Sequence, residues 1–363
     1  MDDETGKLTV LQDSLTKAVI ENWGIDDTHS DIFEEKFIEL FELCREECET
    51  SCLQGYKQKA PILLADFREM DTGFESRNYK RWATSFDHLE MVWTIAQELG
   101  EMHGKEIKAE NGNKNNEIMA ALAHIFPRAL LVAREIICLL KGGFPDGALT
   151  RWRSLHELAV TAKYIRNHEK SAVVSYLMSF HFSSRRAAHQ MNEFANVNNM
   201  NRFSKEELGE LDAKCSMAEE IIGQKIKNDK DGEWPKILQN RRNFADIEKD
   251  VGMDHYRPLY KWASTHTHAN HHPMEDLLGQ TDSSGQAHLV GQSNSGLVVP
   301  FQLTATTLGE ITTTYLSHGI NVDRMVHINV MAKLAVEMHT IASENERTTR
   351  EAYEAEKSSK KTS

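Results

Sequence analysis

The stretch that decides the fold reads EIMAALAHIFPRALLVAREIICLLK over residues 117–141, GGFPDG over 142–147 and ALTRWRSLHELAVTAKYIRN over 148–167. In the first part, apolar residues recur at three- and four-residue spacing, the period of an α-helix. Pro127 lies inside it and predicts a bend or a break. Gly142-Gly143 stops the helix, and Phe144-Pro145-Asp146-Gly147 makes a turn. The chain then restarts as a second apolar helix. A stop, a short turn and a restart describe an antiparallel helical hairpin, which is expected to form the core.

Outward from the hairpin the helical period continues. Leu8 to Trp23 and Ile32 to Cys52 read as helices. The second carries a stripe of Ile32, Phe33, Phe37, Ile38, Phe41 and Leu43, with Ser30-Asp31 as its cap. Arg81 to Met102 is another amphipathic helix, and His103 to Asn115 reads as a loop. Ser171 to Phe194 is helical and Asn196 to Asn201 is a loop. A helix opens at Ser204-Lys-Glu-Glu and is expected to reach about Lys227. After a polar linker at 228–233, residues 237–272 hold a short helix and a longer one. Gln280 to Ser295 has no pattern and is a candidate cover for a site. Val298 to Leu316 and Val322 to Ile341 complete the core. No strand pair is convincing. The fold class is therefore all-α, a multi-helix bundle, with the hairpin packed on residues 254–270 and on the C-terminal pair. The expected division is an acidic helical region at 1–75, a bundle core at 76–343 and a polar tail at 344–363.

The 363 residues carry a formal net charge of −13, which argues against a broadly basic nucleic-acid binder. Residues 1–50 hold fifteen acids and four bases, so most of that charge sits there. The start, Met1-Asp2-Asp3-Glu4, has no basic end and no apolar run. Neither a secretory nor a transit peptide is expected, and the expected compartment is the cytoplasm. The apolar run 120–140 is interrupted by Arg128, Arg134 and Glu135, so no membrane span is expected. Five cysteines in a chain of this size do not suggest a disulfide framework. Cys44, Cys48 and Cys52 share a helix face but lack the second pair that a structural zinc site needs.

No Walker loop, Rossmann glycine fingerprint, Gly-x-Ser-x-Gly elbow or His-Glu-x-x-His motif is present. Two polar stripes stand out instead. Arg153 and Glu157 lie four apart on an otherwise apolar helix. Tyr260, Ser264 and His268 also lie at four-residue steps, and His272 would extend the row. A phenol, a hydroxyl and an imidazole in a row can bind an anion or relay a proton. The two stripes are expected to converge, because each is expensive to bury alone. His266, His268, His271 and His272 suggest a metal, with Glu275 or Asp276 closing the shell, but a helix puts His266 and His268 on different faces. Arg81 and His88 have the loose Arg-then-His spacing of helical ribonucleases of the HEPN class.

Two blocks carry a family resemblance. One is Gly143 to Glu157 followed by Tyr164. The other is Tyr260, Ser264 and His268. Trp234 and the run from Asn243 to Ile247 look like the intervening segment. The chain resembles, over roughly residues 80 to 275, the bacterial domain-of-unknown-function 5677 family. The resemblance implies a helical fold, HEPN-like in architecture, with marked positions at Arg153, Glu157, Tyr260, Ser264 and His268.

The function expected first is a cytoplasmic interaction or effector protein, in bacterial stress or phage defence, with a polar pocket. The alternatives are a metal-independent HEPN-like ribonuclease, such as a toxin, and a metal hydrolase built on the histidine cluster. No cofactor and no resident metal are expected. The expected partners are a protein or a small anionic ligand, RNA in the second reading, no membrane, and further copies of the chain in a homo-oligomer.

Overall fold

The computed structural model describes residues 10–110, 117–168, 170–238, 243–267, 277–280, 289–317 and 321–362. These residues form α-helices and short 3₁₀ turns, with no strand among them. None of their helices is long and apolar enough to cross a membrane. The chain divides into two compact units, Met1–Gly73 and Phe74–Ser363.

The first unit holds α1 (Val10–Trp23) and the opening part of α2 (Asp31–Glu110). Leu15, Val19 and Phe33 are buried there, and Lys36 lies 5.9 Å from the Trp23 ring centroid. Ser30 caps α2 as its sequence suggested. Its Oγ accepts from the Phe33 N–H at 3.2 Å and donates to the Asp27 carbonyl.

In the second unit the hairpin is α3 (Glu117–Lys141) and α4 (Pro145–Asn167). α3 runs through Pro127 as one helix. It ends because Gly143 takes φ +78°, with the Gly143 N–H donating to Leu140 O and the Phe144 N–H to Leu139 O. That paired pattern is a Schellman stop. A side chain at 143 would also meet Phe74 and the Ser293 carbonyl. Pro145 then starts α4, where its missing N–H costs nothing. Asn78 of α2 donates to the Leu140 and Lys141 carbonyls at 2.8 and 2.9 Å, satisfying the α3 terminus from outside.

α10 (Val298–Leu316) packs on both hairpin helices, and α11 (Val322–Thr362) packs on α10. α9 (Arg257–Thr265) lies against α4. The hairpin thus meets α9 and the first helix of the C-terminal pair, as expected, while the second, α11, packs on α10. The α2 residues Trp82, Phe86, Leu89 and Val92 enter the same core, with Phe86 edge-on to Phe301 at 5.0 Å. A smaller core forms between α5 (Lys170–Phe194) and α6 (Lys205–Ile222) around Phe182, Cys215 and Ala218.

Several boundaries differ from those read in the sequence. The helix read at 32–52 runs on to a kink at Trp82, and the helix read at 81–102 continues from that kink to Glu110, so residues 103–110 of the expected loop are helical. Between residues 53 and 80 the helix continues through Pro61, and apolar residues recur at three- and four-residue steps from Leu53 to Met70. Its one departure is at Trp82, at φ −107° and ψ 17°, where the indole N–H donates to the Asn294 carbonyl. α6 has the expected capping box of Ser204 and Glu207 but ends at Ile222, because Gly223 turns to φ +74°. α7 (Trp234–Ile237) and α8 (Phe244–Asp250) are short, and α9 stops at Thr265. α11 continues to Thr362, helped by Arg347 bridging Glu344 and Glu351 at the i,i+3 and i,i+4 positions. Residues 293–295 are strapped down: the Ser293 N–H donates to Gly143 O at 2.8 Å and Ser295 is buried.

Candidate functional site

Arg153 and Glu157 face α9 from α4. The Tyr260 hydroxyl donates to Glu157 Oε1 at 2.6 Å, and Arg153 Nε donates to the same oxygen at 3.1 Å. The Arg153 guanidinium carbon lies 4.8 Å from the Tyr260 ring centroid, and that of Arg257 lies 5.0 Å from it. These distances suit cation–π attraction, stronger here for partial burial. Three of the five marked residues therefore meet.

Ser264 sits on α9, but its hydroxyl donates to the Tyr260 carbonyl at 2.7 Å and makes no hydrogen bond to Arg153 or Glu157. The short helix lets a serine bond back to its own turn. His268, with His271, His272, Glu275 and Asp276, lies outside the described residues. Among the described residues no three of the His, Cys, Asp and Glu side chains are grouped to hold a metal ion. Arg81 and His88 are engaged elsewhere: Arg81 donates to Asn294 Oδ1 at 3.3 Å, and His88 Nε2 lies 3.5 Å from Glu337. The five cysteines are free.

The environment shifts two of the marked groups. Burial opposes the positive charge of Arg153, but Tyr260 and Glu157 more than offset this and raise its pKa. Burial, then the hydrogen bond to Glu157, pushes the Tyr260 phenol up to about 12. Tyr260 is thus a donor across the physiological range and is no general base. Its contribution to stability is complete below pH 10, the ordinary tyrosine value, and is lost as pH climbs through about 12. In a phenolate absorbance titration, Tyr260→Phe is expected to remove a tyrosine that ionises near pH 12. Loss of a tyrosine that ionises at pH 10 would contradict this environment.

Beneath the pair lies a set of charges that sequence spacing does not single out. His156 Nε2 and Glu248 Oε1 are 2.6 Å apart, both side chains fully buried, and Arg257 closes on the other Glu248 oxygen. Trp152, Phe244, Tyr256 and Tyr260 surround His156, with ring centroids 5.2 to 6.2 Å away. Arg257 also lies 5.5 Å from the Phe244 ring. Only His156 had a signal in the sequence, as a polar residue in the buried stripe with Trp152, Leu155 and Ala159.

A groove of about 750 Å³ runs along α4 beside this assembly. Arg151, Arg153, Ser154 and Glu157 line it from α4, and His266 lines it from the end of α9. Arg151 is held through Nε by Glu135 and reaches Ser154 Oγ through Nη1 at 3.3 Å. At one end Asp146 accepts from the Leu278 and Gly279 N–H groups at 2.9 and 3.1 Å. His266 Nδ1 lies 3.6 Å from Asp146 Oδ1. The sequence presents Asp146 only as a turn residue, and its link to segment 278–280 crosses more than 130 positions.

Residues 119–287 match the model of DUF5677, a family of unknown function. The DUF5677 segment begins at Met119, later than the residue 80 read from sequence. It holds Arg153, Glu157 and Tyr260 together with His156, Glu248 and Arg257. It leaves out α2 and α10, whose side chains complete the core behind it. Neither the curated proteins nor the solved structures give a match to the chain.

Proposed function

We propose that the chain is a cytoplasmic ligand-binding or effector protein whose α4 groove takes a small anionic group, a carboxylate or a phosphate. The observation that carries this reading is the state of Arg153. Its Nε is clamped by Glu157 and its guanidinium carbon sits over the Tyr260 ring, so it is oriented before any ligand arrives. It also lines the groove. A guanidinium fixed in this way loses little freedom on binding and is suited to a forked oxyanion contact. Arg151 and Ser154 add donors on the same wall.

Calorimetry with inorganic phosphate, a nucleoside monophosphate and succinate tests the reading. At least one is expected to bind, and Arg153→Ala is expected to weaken it roughly 10- to 100-fold, the worth of one or two charge-assisted hydrogen bonds. Absence of binding at millimolar concentration, or binding unchanged in Arg153→Ala, would reject it.

The pairing of His266 with Asp146 in the same groove supports a second reading, a metal-independent ribonuclease of HEPN-like architecture. His266 would take the proton of a 2′-hydroxyl. That oxygen would attack the adjacent phosphorus to give the 2′,3′-cyclic phosphate, the 5′-oxygen would leave and take a proton from water, and Arg153 would hold the phosphate. RNA cleavage in excess chelator that disappears in His266→Ala would favour this reading over simple binding.

A further inference from the structure

Residues 53–70 of α2 carry a second pattern, unconnected with the groove. Leu53, Tyr56, Ala60, Leu63, Phe67 and Met70 follow one another at alternating steps of three and four. That is the a/d seam of a coiled coil, about 27 Å long at 1.5 Å per residue. The side chains lie in water: Leu53 is 52% exposed, Tyr56 55%, Leu63 52%, Phe67 49% and Met70 58%. An apolar row of this length is rarely left open on a soluble protein. α2 continues through Pro61, which lies off the seam.

The flanking charges say what covers it. With Leu53 at position a, Lys57 and Leu64 fall at e, Lys59 and Asp66 at g, and Asp71 at e. In a parallel pair each g residue faces the e residue five positions on. Asp66 would then face Asp71 of the other helix twice, with no attractive pair to compensate. In an antiparallel pair, residue 53 layers with 70, 56 with 67 and 60 with 63. Lys59 then faces Asp66 of the other copy, and the two-fold axis repeats the contact. Neither Lys59 nor Asp66 makes an ion pair among the described residues of its own chain.

We propose that the chain forms a homodimer through an antiparallel coiled coil of residues 53–70, with Lys59 paired to Asp66 of the second copy. The complementarity is that of the helix with itself, which points to a second copy as the occupant.

Sedimentation velocity on the full chain tests it. The wild type is expected to be a dimer in the micromolar range, and Leu63→Glu/Phe67→Glu a monomer with unchanged circular dichroism. Lys59→Glu and Asp66→Lys each turn two attractive contacts into two repulsive ones, and each is expected to weaken the dimer roughly tenfold at low salt. The double variant Lys59→Glu/Asp66→Lys is expected to recover it. A wild-type monomer throughout that range would overturn the proposal, as would a dimer indifferent to Leu63→Glu/Phe67→Glu. Failure of the double charge swap to recover association would overturn the antiparallel pairing.

Discussion

Glu248→Ala is expected to destabilise the second unit by about 3–5 kcal/mol, the usual cost of removing one partner from a buried ionic group. Glu248 is fully buried, and its two oxygens serve His156 and Arg257. Without the carboxylate, Arg257 keeps its charge in a partly buried position and His156 loses its partner at Nε2. Water has little room to replace it, because His156 sits among Trp152, Phe244, Tyr256 and Tyr260. Glu248→Gln keeps the shape and one acceptor oxygen, and is expected to lose less than half as much. Urea unfolding followed by far-UV circular dichroism reads both variants. A Glu248→Ala protein within ~1 kcal/mol of wild type would mean that the three groups do not depend on each other.

Gly296→Ala is expected to cost about 3 kcal/mol. Gly296 has φ +75°, where an L side chain costs ~1–2 kcal/mol. A Cβ there would stand 2.1 Å from the Leu278 carbonyl oxygen and 2.4 Å from its carbon. Both are backbone atoms, so no rotamer change relieves the clash, and overpacking adds ~1–3 kcal/mol. Gly252 separates the two effects. It has φ +69° with nothing within 4 Å of its Cβ position, so Gly252→Ala should show the backbone cost alone. Equal losses at the two positions would show that the chain gives way at Leu278 without penalty. The displacement at 278 also pulls on Asp146, which holds the Leu278 and Gly279 N–H groups beside His266. Gly296→Ala should therefore weaken anion binding in the groove as well as stability.

The part of the site that could be read in advance is the part set by helical spacing. Arg153 and Glu157, one turn apart on an apolar helix, and Tyr260 on another, were recognisable as polar groups needing partners. They partner each other across 103 residues. Ser264 had the same spacing and a different fate, because its hydroxyl found the carbonyl of its own turn first. Spacing places a residue on a face, and competition among nearby acceptors decides what it bonds. His266 looked misplaced for a helical histidine row. It lines the groove from the C-cap of α9, where its backbone still has helical angles of φ −73° and ψ −13°.

By itself, the sequence determined the helical class, the hairpin and its turn, and the caps at Ser30 and Ser204. These depend on local terms: the apolar period, the freedom of Gly143, the fixed φ of Pro145, and hydrogen bonds spanning three residues. Only the tertiary structure decided that Glu248 joins His156 to Arg257, that Asp146 fastens residues 278–280, and that Asn78 closes the end of α3. Each depends on a contact between segments far apart in sequence, His156 with Glu248 in the first case. Its strength comes from removing charges and carbonyls from water, and burial of that kind does not exist until the helices have packed.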